Sequence, residues 1–112
     1  MAIQVNFSDI FNQLTTGVVV LAKSTVSQYL NDAKTDAQNL LAEMKDDLER
    51  WTNLLISGDL TTEDFEWLVN SEKDTFKMAA LEQAGLALIR VDQFKSSLLN
   101  FIVDTVFKMV KV

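Results

Sequence analysis

From Phe11 to Leu55 the apolar residues recur at steps of three, four and four. Val18, Tyr29, Leu40 and Trp51 stand eleven apart, as do Ala22, Ala33, Met44 and Leu55, and likewise Val26, Ala37 and Leu48. Eleven residues in three turns is about 3.67 per turn, close to the α-helical period, so such a stripe stays on one face with little supercoiling. This hendecad repeat predicts one long helix over about 8–56, of the kind found in near-straight coiled coils. Val19, Leu30 and Leu41 widen its stripe. Asn6 or Ser8 can cap its start, with Asp9 in the first turn where the helix dipole favours a negative charge. Ser57-Gly58 supplies the stop, because glycine tolerates the left-handed backbone of a helix terminus. Unbroken, this helix would extend about 75 Å. Thr15-Thr16-Gly17 and Asn31-Asp32 are the cheapest places to interrupt it, but the period runs through Asn31 unshifted, which favours continuity.

The stretch GDLTTEDFEWLV then predicts a short helix over about 62–70. Thr61 can cap it, and Leu60 and Phe65 occupy the two positions of a hydrophobic staple. Read as a calcium loop around Gly58, the region puts Leu55 where a hard cation needs an oxygen, so no such site is expected. A second long helix is predicted over about 72–110. Phe76, Ala87, Leu98 and Met109 are eleven apart, as are Ala80, Val91 and Ile102. The third register, Ala84, Lys95 and Val106, contains one charged residue. Lys95 can lay its stem along the seam and lift its ammonium into water, or Phe94 can rotate in to replace it. Lys108 and Lys111 suit the C-terminal end of this helix, and Asp104 and Lys108 are spaced as an i, i+4 pair.

Two long helices joined by a short one are expected to pack as an antiparallel hairpin, so the chain reads as one all-α domain spanning 1–112. Ala33, Ala37, Ala80, Ala84, Gly85 and Ala87 would let the axes approach closely, or the alanines among them simply favour helix. The tail, LLNFIVDTVFKMVKV, has ten apolar residues in fifteen. The facing TTGVVVLA carries a similar surplus, whereas one antiparallel neighbour covers only about 100° of a helix. A lone hairpin would therefore leave a large apolar surface in water, which monomers seldom tolerate. The favoured solution is a homodimer, two hairpins forming a four-helix bundle, with an interface on Val18, Ala22 and Val26 of the first helix and Leu98, Ile102, Val106 and Met109 of the second. The alternative is a monomeric four-helix bundle with breaks near Asn31-Asp32 and Arg90-Val91-Asp92. A third way to cover the apolar end is lipid, with Lys108 and Lys111 bordering Phe101, Phe107 and Val110 in the manner of an interfacial helix.

Composition narrows the chemistry. The 112 residues include no Pro, no Cys and no His, and 48% are hydrophobic. Thiol nucleophiles, disulfides and thiolate metal sites are excluded, and imidazole catalysis with them. The Glu-x-x-His pairs that hold di-metal centres in helical bundles cannot occur, and no Gly-rich phosphate loop is present. The densest acidic cluster, Glu43, Asp46, Asp47 and Glu49, is spaced for i, i+4 partners (Asp46 with Arg50, Lys45 with Glu49), as a solvated helix face is. The net charge of −6 is uneven: residues 31–75 carry −8 and residues 76–112 carry +2. With no basic stripe, nucleic-acid binding is not expected. No signal peptide or membrane span is expected either, which points to the cytoplasm. Trp51, Phe65, Trp67 and Phe76 gather near the predicted turn, where they can seat the short helix or line a groove for a partner peptide. The functional expectation is a non-enzymatic scaffold or adaptor without cofactor or metal, whose partner is itself or another protein. Contact with a membrane or another hydrophobic surface is the less favoured alternative.

Overall fold

The computed structural model describes residues 6–111. Their secondary structure is entirely helical: α1 (Phe7–Thr25), α2 (Leu30–Ser57), α3 (Thr62–Asn70), α4 (Ala79–Ala84) and α5 (Leu88–Val110), with single 3-10 turns at Ser27–Tyr29 and Ser71–Lys73. The longest dimension is 49 Å, too short for the unbroken helix of about 75 Å that the period predicts. No helix among the described residues is long and apolar enough to cross a membrane.

The predicted first helix divides at Val26, whose φ of −135° and ψ of 49° leave the helical region. Ser24 and Thr25 turn their hydroxyls back onto the Leu21 carbonyl at 3.0 and 2.7 Å, offering the chain an alternative to the next helical turn. Val26 itself stays buried. The chain reverses there, and α2 returns along α1, bringing the Lys45 ammonium 5.1 Å from the centre of the Phe11 ring. The break thus lies before Asn31-Asp32, which belong to the first turn of α2. Thr15, Thr16 and Gly17 lie inside α1, which continues through them.

The predicted second helix also divides. Gly85 takes a left-handed backbone, φ 95°, and ends α4 after six residues. Gly58 does the same for α2 at φ 84°. Between α3 and α5 the chain therefore runs as a segmented connector. Two buried ionisable side chains clip it to the body. Asp36, 3% exposed on α2, accepts from two backbone donors in the first turn of α4, Ala80 N–H at 3.0 Å and Leu81 N–H at 2.7 Å. Lys95, 8% exposed on α5, donates to the carbonyls of Lys73, at 2.9 Å, and of Phe76. Its ammonium therefore reaches backbone oxygens rather than water, and Phe94 is buried beside it rather than in its place.

Breaking the two long helices changes what each apolar face meets. The buried row of α1, Phe7, Ile10, Leu14, Val18 and Ala22, packs against both α2 and α5. On α5 the buried positions run from Val91 to Val106 and span roughly half the circumference at 100° per residue. One neighbour could not cover that; α1 and α3 supply most of the cover, and the connector closes over the Lys95 end. Phe65 is fully buried and seats α3, its ring centre 5.6 Å from that of Phe107. Thr61 caps α3 through a bond from Asp64 N–H at 3.0 Å.

The premise of an unavoidable dimer therefore does not hold. Val18, Ala22, Val26, Leu98, Ile102 and Val106 are all sealed within a single chain, in one continuous core. They form the interior of the subunit, not a seam between two copies. Met109, half-buried, is the exception among the seven.

Candidate functional site

The face of α1 beside its core row presents Gln13, Thr16, Gly17 and Val20, spaced i, i+3, i+4, i+7. The matching face of α5 presents Phe101, Thr105, Lys108 and Met109. Together they wall an open groove of about 580 Å³, within the size range of sites that hold ligands or anchor side chains. Its floor is apolar, and Lys108 is its only charged wall residue.

Gly17 makes the groove possible. A Cβ placed there would come within 3.0 Å of three atoms of the Phe101 ring. The missing side chain is a notch into which the ring lies. A glycine in a helix interior costs about 1 kcal/mol relative to alanine, so the notch is maintained at the expense of α1. Gly17→Ala is expected to change stability by less than about 1 kcal/mol, because better helix propensity offsets displacement of the half-buried ring. The Phe101 aromatic NMR signals should nevertheless move. A loss well beyond 2 kcal/mol would show that the ring and notch lock the fold rather than shape the groove.

The aromatic residues near the turn do not converge on a groove. Trp51 and Phe65 are buried and Phe76 is partly buried near Lys95, whereas Trp67 is 71% exposed on the outer face of α3. Only Phe65 and Val69 are buried from within α3, so Trp67 takes no part in seating it. The acidic cluster of α2 is a solvated face. Glu43, Asp46 and Glu49 are exposed, and Arg50 pairs with Asp47 at 3.0 Å instead of with Asp46. Among the described residues neither Lys45 with Glu49 nor Asp104 with Lys108 closes an ion pair. Lys108 is exposed on α5.

A second cleft, of about 310 Å³, lies along the connector beside Leu88, Asp92 and Lys95. The one buried charge in its wall, Lys95, is already committed to backbone carbonyls. The α1–α5 groove is thus the better candidate. Of the residues expected at an interface, Met109 alone lines it. Gly17, Val20 and Phe101 fall outside the eleven-residue registers; the apolar surplus of TTGVVVLA and of the tail points to their segments but not to the groove they form. No family model, curated protein or solved structure matches the chain.

Proposed function

We propose that this chain is a non-enzymatic interaction module, a compact helical scaffold or adaptor that associates reversibly with a second copy of itself through the α1–α5 groove. In this reading the scaffold is a single-chain bundle, not a four-helix bundle assembled from two hairpins. Its core is complete without a partner, so the monomer is a folded species and association is a regulated or concentration-dependent step. The observation that carries the reading is the open apolar groove with Lys108 at its wall, a lysine that closes no ion pair among the described residues. A second copy offers the matching chemistry, since residues 31–75 hold a net charge of −8. The same net negative charge disfavours an anionic membrane as occupant.

Sedimentation equilibrium over a wide concentration range tests this. The wild type should pass from monomer to dimer, and Val20→Glu should remain monomeric with unchanged helicity, because Val20 is 64% exposed. A chain that stays monomeric at millimolar concentration, or that co-sediments with phosphatidylserine vesicles, would overturn the proposal.

A further inference from the structure

We infer that the part of the second copy that enters the groove is the outer face of α3, with Trp67 as the anchor and Glu63 and Asp64 facing Lys108. The inference rests on the self-association reading and specifies its contact.

Trp67 is the most exposed large hydrophobic side chain among the described residues. An indole in water forgoes the burial of a large apolar surface, and tryptophan is the residue type most enriched where binding energy concentrates. Its exposure is not a by-product of packing α3, since Phe65, about half a turn around the helix, does that work. Glu63 and Asp64 precede it by four and three residues, which places them one turn away on the same face, both exposed. An aromatic anchor bordered by acids thus meets an apolar groove bordered by the exposed Lys108 ammonium. The indole N–H also needs an acceptor once buried, and Gln13, Thr16 and Thr105 provide acceptors along the walls.

The contact has to be made between chains. α3 rests on the Phe107 side of α5, whereas Phe101, Thr105 and Lys108 form the groove on another side. Trp67 points away from its own subunit and cannot turn back into its own groove. A two-fold axis relating the copies would make the contact reciprocal, each giving its Trp67 and receiving the other's.

The test is sedimentation equilibrium of the full chain with four variants. Trp67→Ala should weaken dimerisation about tenfold or more. Its thermal melt, read at low concentration, should match that of the wild type. Lys108→Glu should weaken dimerisation, and adding Glu63→Lys to it should restore much of the loss. Wild-type affinity should fall as salt rises. If Trp67→Ala dimerises like the wild type while Val20→Glu does not, this inference fails and the groove reading stands. If neither variant affects dimerisation, both fail. Charge reversal at Lys108 that the Glu63→Lys change does not rescue would remove the acid–lysine contact from the inference.

Discussion

Val18→Asp is expected to leave the chain largely unfolded at every protein concentration. Val18 is 1% exposed in the middle of the buried row of α1. Removing it forgoes about 1.5–3 kcal/mol of apolar burial. A carboxyl group in its place, with no partner, costs a further amount of roughly 2–7 kcal/mol. The sum approaches or exceeds the total stability of an ordinary domain, about 5–15 kcal/mol. Circular dichroism across a hundredfold range of concentration should show the same loss of helix throughout. Val20→Asp is the control, since it makes the same chemical change two residues away on the groove face. It should alter stability by less than about 0.5 kcal/mol. A well-folded Val18→Asp monomer would return Val18 to an intersubunit seam and undo the core described above.

Asp36→Ala is expected to cost about 2–4 kcal/mol. The carboxylate is buried and holds two backbone N–H groups of α4. Bonds to a charged acceptor are worth more than neutral ones, and truncation strands both donors. A six-residue helix has no means of sustaining itself without such support. Asp36→Asn keeps one acceptor oxygen and should lose about half as much. Urea unfolding gives the total, and hydrogen exchange at Ala80 and Leu81 should accelerate more than exchange elsewhere. If Asp36→Ala melts within about 0.5 kcal/mol of the wild type, the cost of burying the carboxylate cancels its bonds, and the clip adds geometry without stability.

What the pattern of the chain discloses, and what it conceals, have the same physical cause. Over α1 and α2 the eleven-residue period reports which side of the backbone is dry, whereas in the second half Ala84 and Ala87, which share its registers, are exposed in the segmented connector. Ala22, Ala33, Met44 and Leu55 are all buried, as are Val26, Ala37 and Leu48. The period does not report whether successive dry turns belong to one helix. Val26 stays in the core while its backbone leaves the helical region, so the register passes through a reversal of direction unchanged. The cue lay in the polar letters instead, in Ser24 and Thr25 with their competing hydroxyls. Gly85 carried the same kind of signal as Gly58, yet a glycine set among alanines reads as close packing as easily as a terminus. Thr61 was legible because capping is local, needing only a hydroxyl three residues before the N–H it accepts from. Asp36 was not, since its partners lie 44 and 45 residues away. The groove was half legible. The apolar surplus of the tail and of TTGVVVLA was plain, but only three-dimensional packing separates Val18, turned inward, from Val20, turned out.

The clip between Asp36 and α4 also sets an order of events at the ribosome. The carboxylate is made 44 residues before Ala80, its nearer partner. At about 5–20 residues per second, that is a delay of roughly two to nine seconds. Only late in it, once α2 has been made as far as Ser57, can α1 and α2 close into a hairpin, and the strip that α5 will occupy then stands open. The nascent chain therefore passes through a stage that is greasier than the finished molecule, and a chaperone is best placed to engage it there.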